Sequence, residues 1–202
     1  MRYELIDFGG YDAAVKGMML SYGKTSFDDF YADPFDIDRV AKKLALMDGV
    51  HNKFLEQIQY WILVQAPLFW WKQADTYRVG ISKSSESTMH KSWKNGLTQE
   101  MFETPIFKDT LDRLNDSIRE YNSELTTPDR KKYLESLIIG NLPDAYLQTR
   151  LLNVNAKCLR NMYFQRRDHK LKGLWSGEGG FCEFIKNLPY GDLITAERNE
   201  NG

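Results

Sequence analysis

Four residues in the C-terminal part of the chain place a polar group on either side of an apolar pair. Asn155, Leu159, Met162 and Arg166 are spaced four, three and four residues apart, which puts them on one face if the segment is helical. Arginine is a fork-shaped donor suited to a phosphate or a base edge. Alternatively, Arg166 ends a core helix and extends its guanidinium into solvent. On the residues alone, both interpretations stay open.

Other charged and titratable side chains are less informative. Four basic residues near Arg166 could assist an anion site: Lys157, Arg160, Arg167 and Lys170. His51 lies where a helix is predicted to give way to a strand, and a histidine there serves either a ligand or the structure. No spacing of His, Cys and carboxylate residues indicates a metal site, and no Ser/His/Asp arrangement or phosphate-binding glycine loop is apparent.

The order of residues around Arg166 is similar to a family signature. Leu142-Pro143 is followed by Asn155, Lys157 and Leu159 and then by Arg166. This resembles the C-terminal signature of the flavin-dependent thymidylate synthases, L-P followed at a fixed distance by N-x-R-x-L and then an arginine. Lys157 replaces the arginine of N-x-R.

Two earlier stretches resemble the same family, in the family's order. MMLSYGK, residues 18–24, is similar to A-x-x-S-x-G-K. HNKFLEQIQYWILVQAPLF, residues 51–69, is similar to H-T-S-x-x-E-H followed by a strand and A-P-x-F. The residues in register in the second stretch are His51, Glu56, Ala66, Pro67 and Phe69. The resemblance extends from Tyr3 to about Glu183.

The resemblance implies an α+β fold with a central, mostly antiparallel sheet flanked by helices. It implies an enzyme that converts dUMP to dTMP with FAD, NADPH and methylenetetrahydrofolate, assembled as a homotetramer. Family members use no protein nucleophile, so the protein would contribute positioning and electrostatics. The implied nucleotide-orienting residues are Arg78, Ser87 and Arg166. The residues implied near the flavin or base are His51, Gln73, Tyr77, Asn155 and Lys157.

The chain departs from the family in its basic residues. After A-P-x-F the family has R-Q-W-x-R-H-R-x-x-S, whereas KQADTYRVGIS has Thr76 and Tyr77 where arginine and histidine are expected. Ser87 matches the next family serine only with a one-residue insertion, and Ile139 replaces an arginine before L-P. Each lost guanidinium removes a contact worth about 1.5 to 3 kcal/mol. We therefore expect FAD to bind weakly or not at all, with the Tyr77 ring able to stack on a base or an isoalloxazine.

These departures leave alternatives for the function. The substrate could be changed to dCMP, or methylation could be replaced by hydroxymethylation. In a different class, the chain is a catalytically silent paralogue that keeps the fold for nucleotide binding or protein interaction. Fold resemblance does not separate these alternatives, because function resides in the site.

Charge and composition limit the classes of partner that the chain is expected to have. With 27 basic and 28 acidic residues, the net charge is -1, which does not favour a nucleic-acid polymer as partner. Cys158 and Cys182 form neither a disulfide framework nor a metal-ligand spacing. The N-terminus MRYELIDFGGYD has no apolar signal region, and no apolar stretch is long enough to span a membrane. We therefore expect a cytoplasmic protein without membrane contact.

Periodicity predicts the elements that must position these residues. We expect a strand over 3–8, a Gly9-Gly10 turn, a helix with Ala14, Met18 and Met19 on one face, and a helix capped by Asp36 or Asp38. Residues 58–65 alternate as a strand. Residues 82–104 are interpreted as a polar loop, and Thr127-Pro128 as the start of a helix. Leu142-Pro143 interrupts the helical pattern, and a further helix is predicted over residues 144–167. We predict a single domain over residues 1–194 and a polar, frayed tail over 195–202.

Overall fold

The computed structural model describes residues 1–22, 27, 37–47, 51–87 and 93–197. It is an α+β fold of eight α-helices and a four-stranded antiparallel sheet in this part of the chain. The predicted fold class is confirmed. None of the described helices has the length and apolar character needed to cross a membrane.

The sheet has the strand order β1-β2-β4-β3. Its strands are β1 (Arg2–Gly9), β2 (Gln59–Pro67), β3 (Ile81–Ser85) and β4 (Leu147–Asn155). At one end of the β2–β4 pair, Ala156 N donates to Ile58 O at 2.9 Å, and at the other end Leu68 N donates to Tyr146 O at 3.1 Å. The two residue numbers have the same sum at both ends, which is the register of antiparallel strands.

Strand β2 follows the predicted alternation. Its buried face carries Tyr60, Ile62, Val64 and Ala66, each 0% exposed, while Gln65 is exposed. Alternating burial of apolar side chains fixes the register, since a one-residue slip would expose the whole set. The strand predicted over 58–65 is therefore confirmed.

The helices run in chain order from α1 to α8. Their bounds are α1 Tyr11–Met19, α2 Ile37–Ala45, α3 Leu68–Ala74, α4 Lys108–Asn122, α5 Pro128–Gly140, α6 Ala156–Arg166, α7 Phe181–Lys186 and α8 Gly191–Ile194. Short 3₁₀ turns occupy Leu20–Tyr22, Lys53–Gln57 and Gln99–Met101. The predicted α5 start is confirmed, because the Thr127 side chain accepts from Arg130 N and Pro128 takes the first helical position. Of the two residues predicted to cap α2, Asp38 lies in its first turn and Asp36 lies outside the described residues.

The helix predicted over residues 144–167 is wrong in its first half. Residues 147–155 form β4, in which Gln148, Leu152 and Val154 are buried, and the helix begins only at Ala156. The four-three-four spacing that favoured a helix therefore starts at Asn155, which is the residue before α6. Burial at period two in β4 outweighs the weaker helical pattern across the same residues.

The polar loop predicted over 82–104 is also corrected. Residues 81–85 form β3, which lies at an edge of the sheet. Serine and lysine are tolerated at a sheet edge, where one side of the strand faces solvent. Farther along, Trp93 and Leu97 are buried in the cluster around α4 and α5. Residues 88–92 lie outside the described part of the chain.

Close packing divides the chain into two compact units. The first consists of Met1–Arg2, Val64–Thr76 and Ser84–Arg150, and the second of Tyr3–Leu63, Tyr77–Lys83 and Leu151–Gly202. In the first unit, α4 and α5 enclose Leu114, Ile118 and Leu134. The single domain over residues 1–194 stays a prediction. In the predicted frayed tail, the Ala196 carbonyl accepts from Arg160 and Glu197 pairs with Arg167.

Candidate functional site

A cavity of about 440 Å³ lies in the second unit between α1, α2 and the 3₁₀ turn Lys53–Gln57. Its described lining combines apolar and polar side chains: Gly17, Met18, Leu20, Ser21, Leu44, His51, Lys53, Phe54 and Gln57. Two of the stretches that suggested the family resemblance therefore meet around one space. The volume falls within the range of about 300 to 1,000 Å³ that is usual for small-molecule sites.

Gly10 allows α1 to lie close to the 3₁₀ turn Lys53–Gln57, and these two elements form walls of the cavity. Its φ is +89°, and a Cβ at this position would lie 2.4 Å from the carbonyl oxygen of Gln57. Only glycine accommodates both the left-handed conformation and this close approach. The chain can therefore turn directly from β1 into α1 while α1 lies against the 3₁₀ turn that carries Phe54 and Gln57.

The same 3₁₀ turn is anchored to the start of α6. Asn52, which is 0% exposed, accepts a hydrogen bond from Lys157 Nζ through its Oδ1 atom. The Asn52 Nδ2 atom is buried and has no hydrogen-bond partner among the described residues. Asn52 and Lys157 both differ from the family pattern, which has threonine and arginine at these places. Two departures from the signature thus contact each other.

Arg166 lies in a clamp formed by Tyr77, Gln165 and Trp175. The Arg166 Nε atom donates to the Tyr77 hydroxyl at 3.1 Å, and that hydroxyl donates to Gln165 Oε1 at 3.1 Å. The guanidinium carbon is 5.0 Å from the centroid of the Trp175 ring and 5.8 Å from that of Tyr77. These are cation–π distances. We call these four residues the Arg166 clamp.

Two titratable groups at the clamp have shifted pKa values. Burial raises the pKa of the Tyr77 phenol above 10, and Arg166 opposes that shift in part. His169, whose ring centroid is 6.4 Å from that of Trp175, has its pKa lowered below 6.5 by burial and by the nearby charges of Arg166 and Lys170. Both shifts favour the neutral form, so at neutral pH the clamp carries the charge of Arg166.

Asn155 serves as the N-cap of α6. Its Oδ1 atom accepts from Cys158 N at 2.8 Å, which satisfies one of the first free N–H groups of the helix. Its side chain also lies against Gly80, where a Cβ would be 2.4 Å from Asn155 Nδ2. Asn155 is therefore 8% exposed and committed to the local structure through its oxygen.

The remaining predicted site residues lie on different elements. Arg78 has an exposed side chain just before β3 in the second unit. Gln73 lies on α3 in the first unit, and its carbonyl accepts from the Thr76 hydroxyl at 2.7 Å. Ser87 follows β3 in the first unit and is half-buried. The contacts given above join Tyr77 to Arg166 and Lys157 to Asn52, and His51 lines the cavity.

Most of the cations expected to assist Arg166 are engaged elsewhere. Arg160 is buried and donates to the carbonyls of Ile194 at 3.1 Å and Ala196 at 2.7 Å. Arg167 pairs with Glu197 at 2.6 Å. Together with the Lys157–Asn52 bond, these contacts hold the end of the described chain and the start of α6. Arg160 and Arg167 thus contact the end of the described chain, and an assisting role for them at an anion site stays a prediction.

Sequence reasoning missed Gln165 and Trp175. Trp175 is 0% exposed and lies in the glycine-rich segment after α6. The one available signal was the glycines around it, since Gly173, Gly177 and Gly179 all have positive φ values and mark tight turns. This glycine-rich segment places the Trp175 ring under Arg166.

Known proteins resemble this chain in their structures and not in their sequences. No family sequence model matches the chain, and neither does any curated protein sequence. The flavin-dependent thymidylate synthase ThyX from Helicobacter pylori, in complex with FAD and dUMP, matches with a TM-score of 0.66 and 13% identity over 98% of each chain. The UMP/dUMP methylase PolB from Streptomyces cacaoi, bound with 5-Br dUMP, matches with a TM-score of 0.59 and 18% identity, covering 97% of this chain and 95% of that chain. At these identities the likeness is one of fold.

Proposed function

We propose that this chain, which has the fold of the flavin-dependent thymidylate synthases, is an enzyme that modifies C5 of a pyrimidine deoxynucleotide. The observation that carries the proposal is the cavity of about 440 Å³, because stretches from 18–24 and 51–69 line it together. The proposed reaction converts dUMP to dTMP, with FAD as cofactor and with NADPH and methylenetetrahydrofolate as co-substrates.

The described cavity wall suits the ring of a flavin better than its diphosphate. Met18, Leu44 and Phe54 provide apolar surface for a flat ring system, and His51 and Gln57 can hydrogen-bond its polar edge. Lys53 is the one lysine or arginine on the described wall. A bound reduced flavin would supply a hydride to the substrate. With so few cations nearby, we propose weak FAD binding whose salt dependence is smaller than in a site lined by arginines.

The chain's own contribution is positioning and electrostatics. Arg166 would hold an anionic group of the nucleotide, and Arg78 and Ser87 would orient the remainder. Burial raises the pKa of the Cys158 thiol to about 11 and that of the Cys182 thiol to about 12. Neither thiol is therefore a thiolate nucleophile at neutral pH, which agrees with a reaction that needs no protein nucleophile.

Release of tritium from C5-labelled dUMP tests the reaction. The purified protein is incubated with FAD, NADPH and methylenetetrahydrofolate, and dCMP is run in parallel. We expect FAD-dependent release that is lost when Arg166 is changed to alanine. Mass spectrometry of the product distinguishes methylation from hydroxymethylation. Tight dUMP binding without release from either nucleotide would overturn the enzymatic proposal.

A second candidate is a catalytically silent, nucleotide-binding paralogue. The observation that favours it is the engagement of Lys157, Arg160 and Arg167 by other parts of the chain. A site with few uncommitted cations could retain a nucleotide through Arg166 and stacking while losing the flavin. Binding of dUMP by a protein that takes up no FAD, even in excess, would support this candidate.

We propose further that the chain assembles as a cytoplasmic homotetramer with no nucleic-acid polymer as partner. The support is the resemblance, since the family completes its sites across subunits. Light scattering at micromolar concentration should give about four times the 23.6 kDa chain mass. A monomer would contradict the proposal.

A further inference from the structure

We propose that Tyr77 is a positioning residue that orients Arg166 for binding the anionic group of a nucleotide. The inference rests on the proposed function, because it takes Arg166 as the nucleotide anchor. Tyr77 stands where the resembling family has histidine. Its hydroxyl contacts Arg166 directly, so the replacement has a structural consequence of its own.

The geometry fixes the guanidinium from two directions. Tyr77 Oη accepts from Arg166 Nε at 3.1 Å, and the Trp175 ring lies under the guanidinium, with 5.0 Å between the guanidinium carbon and the ring centroid. The hydrogen bond sets the rotation of the guanidinium in its plane, and the ring sets the tilt of that plane. Arginine grips phosphates and carboxylates with a planar fork, so both angles decide which anion geometry fits.

The Tyr77 hydroxyl is itself oriented. It donates to Gln165 Oε1 at 3.1 Å, which leaves its lone pairs to accept from Arg166. Because Gln165 and Arg166 are neighbours on α6, the hydroxyl bridges two side chains at the end of that helix. A long arginine side chain loses much rotamer freedom when it binds a ligand. Holding it beforehand reduces that cost at the moment of binding.

This role predicts behaviour that a purely structural role does not. Tyr77→Phe keeps the ring and its packing and removes only the hydroxyl. If Tyr77 acts through Arg166, losing the hydroxyl weakens nucleotide binding only while Arg166 is present. If Tyr77 merely stabilises the fold, Tyr77→Phe lowers the melting temperature and leaves dUMP affinity unchanged.

The test is a double-mutant cycle measured by calorimetric titration of dUMP into the full chain. We expect Tyr77→Phe to weaken dUMP binding about fivefold to tenfold, as for one intramolecular hydrogen bond of ordinary net strength. Arg166→Ala should weaken it by at least as much, and adding Tyr77→Phe to Arg166→Ala should cause no further loss. Additive losses would overturn the proposal, since Tyr77 would then act independently of Arg166. Arg166→Lys, which keeps the charge, replaces Arg166→Ala in the cycle if the alanine variant does not fold.

A second arm needs no nucleotide. Nitrogen-15 NMR of the Arg166 Nε–H group should show a resonance protected from exchange in the wild type and lost in Tyr77→Phe. If that resonance behaves as expected and wild-type dUMP binding is absent, the clamp is structural and the positioning role is overturned together with the proposed function. If dUMP binds and Tyr77→Phe leaves both the affinity and the resonance unchanged, the proposed function stands and the positioning role alone is overturned.

Discussion

The cavity and the Arg166 clamp lie in the same compact unit, but they differ in whether their polar side chains are bonded to other side chains. On the cavity wall, the His51 and Lys53 side chains make no hydrogen bond or ion pair within the described part of the chain. In the clamp, the Tyr77 hydroxyl bonds Arg166 and Gln165, and the guanidinium lies over aromatic rings. The cavity wall therefore offers polar side chains to a ligand, whereas in the clamp Tyr77, which stands where the family has histidine, contacts the retained Arg166.

The largest effect is expected from removing the ring beneath Arg166. Trp175 is 0% exposed, so Trp175→Ala should lower the free energy of unfolding by about 3 to 5 kcal/mol through lost burial and a new cavity. Urea denaturation measures the change. Trp61→Ala, at a half-buried position in β2, is the control and should cost less. An equal cost for the two variants would mean that the clamp is not a packed centre.

Gly10 tests the structural basis of the cavity. Gly10→Ala places a Cβ 2.4 Å from the Gln57 carbonyl oxygen at a φ of +89°, and should destabilise the protein by about 2 kcal/mol or more. Gly9→Ala is the matched control, because a Cβ there meets nothing within 4 Å. Thermal unfolding of the two variants measures the difference. A harmless Gly10→Ala would show that α1 does not need this close approach.

The contact between Lys157 and Asn52 joins the start of α6 to the 3₁₀ turn at the cavity, and paired substitutions test it. Lys157→Met leaves the Asn52 side chain buried without its partner, which should cost about 1 to 3 kcal/mol. Replacing both residues, as Lys157→Met with Asn52→Leu, should recover much of that loss, since the buried Asn52 amide is then removed together with the lysine that bonds it. Denaturation of the single and double variants forms the measurement. Additive losses would indicate that the two residues act separately.

The smallest expected effect concerns pH at the clamp. Because the His169 pKa is lowered in the folded protein, the unfolded chain binds a proton more readily. The resulting stability is fully present above the ordinary pKa of about 6.5 and is lost as pH falls through the folded value. His169→Asn keeps an acceptor for Leu171 N and should flatten that part of the stability profile. If the slope of unfolding free energy against pH between pH 7 and pH 5 is unchanged in His169→Asn, other groups cause the loss of stability.

Much of the fold could be predicted from the sequence where burial and local chemistry agree. The alternation in 58–65 gave β2, and Thr127-Pro128 gave the start of α5, because each signal is local. The boundary between β4 and α6 could not be predicted, since Asn155 fits a helical spacing and is also a good N-cap. At the clamp, Arg166 and Tyr77 were predicted separately. Their contact depends on tertiary structure that brings Trp175 back beneath them.

Titration of FAD into the wild type and two Gly17 variants tests the central claim, that the cavity is the flavin site. A Cβ on Gly17 would lie 3.8 Å from the nearest described atom, Gln57 Oε1, so Gly17→Ala fits and removes a glycine from α1. Gly17→Leu projects further into the cavity that Gly17 lines. Flavin absorbance and fluorescence quenching should show weak, saturable binding in excess FAD for the wild type and for Gly17→Ala, and at least about tenfold weaker binding for a folded Gly17→Leu. Equal FAD binding by all three proteins would contradict the claim, and so would no binding by any of them.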